Sequence, residues 1–420
     1  MNFWGDIMFL IRLALKNLKR HKKRTLITAM IISFAVFFYL FLDSMMIGMR
    51  NKSFENIMNF ESGHIQIADE DYWNNREEFP LNNLIVEDNN QIIEEAEKIE
   101  GFKGISPQLK FTARLNNGID ELPIPVRAII PDKENKVFDT KDYIVKGDYF
   151  KEDESGAVIG KELADLMELE LGDYFTLVFK TKEETFNTLE LEISALINTP
   201  NPNINSNRIF IPLSIAQDAL NVENSISQYA IRLGNNNIEE EINKLNKSFN
   251  KGIKAYSWRE SASSMINLSR AQKAESQIIL GIILLIAVLG IVNTIILAGI
   301  ERLEEIGMMK ALGMSEKEII LTFIYESTGI GIIGSFIGMV FGFISIGLFT
   351  KYGIDFFRFL GENDLSTFGM PMSGRIYGEW NKNSFIFIFF FVTIISSIIS
   401  IFPAIWAAKK DVVKAIHHKQ

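Results

Sequence analysis

The chain reads as an α-helical membrane protein with four transmembrane helices and a large α+β extracytoplasmic domain inserted between the first and second spans. Three observations lead there. Apolar residues collect in four long runs, although the 420 residues are only 47% hydrophobic and 23% charged overall. Carboxylates collect between the first two runs, where residues 48–276 hold 25 basic and 39 acidic side chains, a balance of −14 within a net −9. Both ends of the chain are basic.

A helix of about 20 apolar residues crosses the hydrocarbon core, where no backbone group can be left unpaired. Thr25 to Ile47 meets that test with one acid, Asp43, and residues 277–300 meet it with no charge. Residues 319–349 are longer than needed and hold Glu326, so this span tilts or extends past the interface. Residues 384–408 complete the set, with Pro403 near the exit. The first run is about twice the usual length of a signal-peptide core and no small-residue cleavage motif follows, so it reads as a retained span.

Charge orients these spans. Residues 1–24 carry seven Lys/Arg against Asp6, and residues 409–420 carry Lys409, Lys410, Lys414 and Lys419 against Asp411. The excess of positive charge places both termini in the cytoplasm. The loop 301–318 is then cytoplasmic, while 48–276 and 350–383 lie outside. Within residues 1–24, Phe3, Trp4, Ile7, Met8, Ile11, Leu15 and Leu18 recur at helical spacing opposite Arg12, Lys16 and Lys19. Such a helix suits the inner membrane surface or a partner subunit.

In residues 48–276, apolar alternation predicts strands at 64–68, 126–130, 174–180, 189–197, 208–211 and 228–233. Helical periodicity falls at 90–99, 161–169, 214–220 and 238–249. Residues 49–60 and 257–276 continue the helical pattern of the adjoining spans, predicting two rigid stalks that couple the domain to the membrane helices.

Several chemistries are excluded or poorly supported. With no cysteine there is no disulfide scaffold, thiol nucleophile or cysteine-ligated metal, and the four histidines, His21, His64, His417 and His418, are too scattered for a metal site. The net charge and the lack of a basic stripe argue against nucleic acid. Gly156-Ala-Val-Ile-Gly160-Lys161-Glu162 is one residue short of a P-loop and lacks its hydroxyl, so a strand-to-helix turn accounts for it better. Glu239-Glu240-Glu241 and Glu152-Asp153-Glu154 read as solvated faces. No catalytic residue is assigned.

Inside the membrane, Glu326 reads as a structural or coupling acid rather than a proton or substrate site. Gly334, Gly338 and Gly342 follow it at four-residue spacing and mark a close helix-packing face, within this chain or with a partner chain. In the loop 301–318, residues through Gly313 form a short helix, and Ser315 with Glu318 fits a capping box that starts the third span. A short helix held between two spans is suited to docking against a cytoplasmic protein.

At these residues the sequence resembles the FtsX/MacB/LolC type of ABC transporter permease. The loop is similar to the family's Arg-x-x-Glu-Ile-Gly-x-x-x-Ala-Leu-Gly signature through Arg302, Glu305, Ile306, Gly307, Ala311, Leu312 and Gly313, with Glu304 and Lys310 beside them. Pro403-Ala404-Ile405-Trp406-Ala407-Ala408, with Asp411 and Ala415, is similar to the family's tail, although Val412 stands where a proline usually follows the aspartate. Residues 158–164, 171–173, 207–213 and 63–67 look most like the lipoprotein-releasing LolC/LolE members. The resemblance implies a non-catalytic permease of the bacterial inner membrane, its loop docked on a cytoplasmic ATPase dimer that holds ATP and Mg, with no cofactor on this chain. It further implies a second permease, a lipoprotein cargo and a periplasmic carrier. Phe34, Phe37 and Phe38 on the first span, with Ile283, Leu284 and Ala287 on the second, would border the lipid-chain cavity. The alternatives are a mechanotransmitting exporter of peptides or antibiotics, a regulator of cell-wall hydrolysis, or a membrane-anchored scaffold.

Overall fold

The computed structural model describes residues 3–151, 154–234, 237–249, 252–301, 303–355 and 375–409. The chain divides into two units, one of Met1–Met49, Arg270–Ile354 and Arg375–Gln420, the other of Arg50–Ser269 with Asp355–Gly374. Among the described residues, four helices are long and apolar enough to cross a membrane: Thr25–Ser62, Ser263–Gly290, Glu316–Tyr352 and Lys382–Ala408.

In the first unit, packing follows side-chain size. The glycines of the third span lie against the first. A Cβ on Gly334 would sit 2.7 Å from that of Ile32, one on Gly338 would sit 2.6 Å from the Ser33 carbonyl oxygen, and one on Gly342 would sit 2.9 Å from Leu40 Cδ1. Small residues here let two backbones approach closely. Thr328 and Ser397 share a 2.7 Å hydrogen bond between the third and fourth spans. The fourth begins where Asp43 Oδ2 accepts from Asn381 Nδ2 at 3.0 Å and Ser384 Oγ at 2.7 Å. A carboxylate beside a helix N-terminus faces free N–H groups and the positive end of the helix dipole.

The N-terminal helix is Phe3–Arg20. Its buried residues are Leu10, Ala14 and Leu18, while Met8, Ile11 and Leu15 are exposed. Leu18 lies against the third span, 2.8 Å from where a Cβ on Gly329 would sit. One edge therefore packs on this chain's own third span, and a second apolar edge stays open.

Among its described residues the inserted domain has twelve strands: β1 Ile65–Asp69, β2 Ile85–Val86, β3 Phe102–Asn116, β4 Glu121–Ile129, β5 Ile144–Gly147, β6 Gly156–Gly160, β7 Tyr174–Lys180, β8 Phe186–Ile197, β9 Ile209–Pro212, β10 Ser225–Ile226, β11 Gln228–Leu233 and β12 Ile253–Ser257. Ten form one mixed sheet in the order β12-β1-β11-β3-β4-β9-β6-β8-β5, with β7 joined to β3 and β8. β4 with β9 and β6 with β8 are the parallel pairs. Along β7, Phe175, Leu177 and Phe179 are buried while Tyr174 and Lys180 are exposed, the period-2 pattern of a sheet with one covered face. Helices Asn90–Glu97, Lys161–Leu166, Leu213–Leu220 and Ile238–Ser248 contribute Ile92, Leu163, Leu220 and Leu245 to the core.

All six expected strands and four expected helices are present, and the α+β class with them. The Gly156–Gly160 segment is a strand that passes into helix Lys161–Leu166. Gly160 is needed because a Cβ there would meet the Asn205 carbonyl oxygen at 2.0 Å, so the glycine serves chain packing rather than phosphate. The helical continuation expected at residues 49–60 is present, and the second stalk needs correction. After Ile57 the chain makes a π-turn, Met58–Ser62, and residues 257–276 are not one helix. Ser257 ends β12 and, with Glu260, starts the four-residue helix Trp258–Ser261 by a capping box; Ala262 then interrupts before Ser263–Glu301. Of the acidic runs, Glu241 is buried beside Lys244 at 2.6 Å, Glu239 is exposed, and Glu152 and Asp153 lie outside the described residues.

Candidate coupling site

The loop between the second and third spans forms helix Leu303–Ala311. Its end is set by Gly313, whose φ of +94° is the left-handed conformation that glycine reaches without strain. The Met314 N–H donates to Met309 O and the Gly313 N–H to Lys310 O, closing a Schellman motif. Ser315 and Glu318 then exchange the hydrogen bonds of a capping box, starting the third span.

One face of this helix is held by the first unit's own core. Ile306 is buried with Ile319 and Phe323 of the third span and Ala404, Ala407 and Ala408 of the fourth. The two segments that carry the family resemblance, the loop and the Pro-Ala-x-x-Ala-Ala tail, are thus packed together. Glu305 Oε1 lies 3.3 Å from His21 Nε2 and 3.5 Å from Arg20 Nη2, just after the N-terminal helix. Lys310 Nζ lies 3.6 Å from Glu316 Oε1 at the start of the third span. Gly307 is buried, whereas Met308 and Ala311 are exposed. Leu312 is 85% exposed, an apolar knob with nothing of its own unit over it. Arg302 and the side chain of Glu304 lie outside the described residues, as do Asp411 and Ala415 of the tail.

The arrangement is braced on one side and open on the other. A load on Leu312 would pass through Ile306 into two spans, and through Glu305 to the N-terminal helix. The role of Arg20 and His21 was not legible in the sequence, where both counted only toward the positive charge of the terminus. Glu326, one turn beyond Phe323, is almost wholly buried and is engaged in a polar interaction.

A groove of about 690 Å³ lies between the first and third spans, lined by Phe34 and Phe37 together with Met30, Phe341, Ile344 and Leu348. Phe38 makes edge contacts with both Phe34 and Phe37, at 4.6 and 5.3 Å between ring centroids. Leu284 is not a groove wall: it is buried in the first unit's core among Ile32, Val36, Ile388 and Val392. Ile283 is half-buried, and the side chain of Ala287 lies outside the described residues. The third span runs close along the first at its glycines, and the second span also packs on the first, through Leu284.

Four membrane-length helices, with a mixed-sheet domain between the first and second, define a multi-pass membrane protein. Residues 277–412 match the FtsX-like permease C-terminal family. Residues 25–245, just over half the chain, match the MacB-like periplasmic core domain. The chain belongs to the FtsX/MacB type of ABC transporter permease, a family of transmembrane subunits that are generally non-catalytic. An uncharacterized ABC transporter permease of Methanocaldococcus jannaschii is 23% identical over 80% of this chain and 83% of its own length. The lipoprotein-releasing system transmembrane protein LolE of Haemophilus influenzae is 24% identical over 58% of this chain and 60% of its own. The macrolide export ATP-binding/permease protein MacB of Pasteurella multocida is 32% identical over 16% of this chain and 11% of its own.

Proposed function

We propose that the chain is the permease subunit of an ABC transporter in the bacterial inner membrane, with both termini cytoplasmic and the inserted domain outside. It couples ATP hydrolysis by a cytoplasmic ATPase dimer to movement of the inserted domain, and it extracts lipoproteins for delivery to a periplasmic carrier. ATP and Mg reside on the ATPase, and this chain binds no cofactor. It works with a second permease, itself or a paralogue.

The observation that carries the coupling role is the loop helix, braced through Ile306 and Glu305 and open at Leu312. Residues Arg302 to Gly313 are the ATPase-facing segment in this reading. Lipoprotein release is supported by the groove at Phe34 and Phe37, since an acyl chain needs an apolar wall and gains about 0.8 kcal/mol per CH2 buried. The second reading, MacB-like mechanotransmission for export of peptides or antibiotics, is favoured by the match of the inserted domain to the MacB-like core.

Reconstitution in liposomes with the ATPase and a triacylated lipoprotein separates the two. ATP-dependent transfer of lipoprotein to a carrier is expected. Movement of a peptide substrate with no lipoprotein released would establish the second reading instead.

A further inference from the structure

The inserted domain contains a polar pocket of about 160 Å³ that the transport reading does not use. Lys110 of β3, Arg127 of β4 and Arg208, just before β9, converge on it. The pocket is also lined by the segment after the first span, through Ile57, Glu61 and Ser62, and by the segment leading to the second span, through Ser261, Ser264 and Met265.

Three cations are gathered here beside two carboxylates, Glu134 and Glu61. Glu134 is fully buried, but it accepts from Ser106 Oγ at 2.6 Å and from Gln108 Nε2 at 2.9 Å, with Arg127 Nη1 farther off at 3.5 Å. Glu61 Oε1 is occupied by Asn201 Nδ2 at 2.6 Å. Both carboxylates thus spend their lone pairs largely on neutral donors. Arg127, 1% exposed, is clamped by donating to the carbonyls of Phe60 at 3.1 Å and Glu61 at 3.0 Å. Its Nε is buried with no hydrogen-bond partner, and so is the Nε of Arg208.

Buried donors left unpaired are costly, and a buried charge cluster is a poor source of stability compared with apolar packing. Burial and the two guanidiniums push the Lys110 ammonium well below its ordinary pKa, with Glu134 and Glu61 opposing. Burial, then Arg127, brings Arg208 down to about 10. Burial is the larger cause and repulsion among the cations the next, and a bound anion would relieve that repulsion.

The geometry points to a site for a phosphate-type oxyanion, held by Lys110, Arg127 and Arg208 between the segment that follows the first span and the segment that precedes the second. A water molecule takes about 30 Å³ in the liquid, so the pocket has room for one such group with a few waters, not for a whole nucleotide or lipid. The ligand is a free phosphate or the phosphodiester of a lipid headgroup, and its occupancy ties the two segments together.

The test uses the full-length protein in phospholipid-free detergent micelles, without ATP, ATPase or cargo, so its failure leaves the transport reading intact. Inorganic phosphate is titrated while the thermal midpoint is followed, and phosphatidylglycerol is then compared with a neutral glycolipid. A saturable rise with phosphate assigns the free anion; a rise only with phosphatidylglycerol assigns the headgroup. In either case Lys110→Met and Arg208→Gln are expected to weaken the apparent affinity at least about tenfold, the scale of one lost charge-assisted hydrogen bond, while Lys110→Arg retains most of it. No response of the wild-type protein to either ligand overturns the proposal, whether or not the variants fold. So does an equal response of wild type and the folded variants.

Discussion

The two units of this chain solve the packing problem in opposite ways. In the inserted domain the large apolar residues are inside: Leu109, Phe111, Leu177 and Ile193 are buried, and the buried acid Glu134 is satisfied by neutral donors. In the first unit many of the largest side chains, Phe336, Phe341 and Phe402 among them, point outward, while Gly334, Ser335, Gly338, Gly342, Ser396 and Ser400 are buried. Water drives apolar surface inward in the domain. Lipid is as apolar as leucine, so between spans only close contact and hydrogen bonds favour association. The same exposed phenylalanine would be a liability in one unit and is ordinary surface in the other.

The sharpest way to break this comparison is Gly338→Leu. Its side chain has no space beside Ser33 and Val36, so the first and third spans must separate and folded protein should be lost from detergent extracts on size exclusion. Gly281→Leu is the control, since a Cβ there meets nothing within 4 Å, and it should leave the yield unchanged. Next in size, Ile193→Ala should destabilise the inserted domain by about 2–5 kcal/mol, read by denaturant unfolding of the full chain. Phe34→Ala, at a position 64% exposed in the first unit, should leave unfolding nearly unchanged but reduce lipoprotein release if the groove holds an acyl chain.

The smallest effect concerns pH. Burial, then Arg232 and Lys103, hold the His64 imidazole below its ordinary pKa of 6.5. The unfolded chain therefore takes up this proton more readily. The stability His64 contributes is complete above pH 6.5 and is lost as pH falls below it. The fall in thermal midpoint between pH 7 and pH 5 should be shallower in His64→Gln than in the wild-type protein.

The spans were legible because length and the absence of charge are enough to specify them, and strands such as β7 because their alternation is clean. β3, the longest strand, was not. Gly104 and Pro107 interrupt its pattern, and Ser106 and Gln108 are buried polar residues that serve Glu134 instead of facing water. The loop helix could be read from Gly313 and the Ser315–Glu318 box because capping is local chemistry. Which span lies beside which is not local. The groove at Phe34 and Phe37 is walled by the first and third spans, while Leu284 of the second packs on Ile32 and Val36 of the first. The cation cluster was equally hidden: Arg127 sits inside an apolar alternation, and Lys110 and Arg208 are distant in sequence until the sheet joins β3, β4 and β9.

The central claim is that the braced loop helix receives the ATPase at Leu312, and Leu312→Asp tests it most directly. The side chain is 85% exposed, so the substitution should leave the yield and thermal midpoint of the isolated permease unchanged. Co-purification of the ATPase with the full-length variant from membranes is the measurement. The account predicts that the ATPase is lost from the complex while the permease remains folded; recovery of the ATPase in wild-type proportion would contradict it.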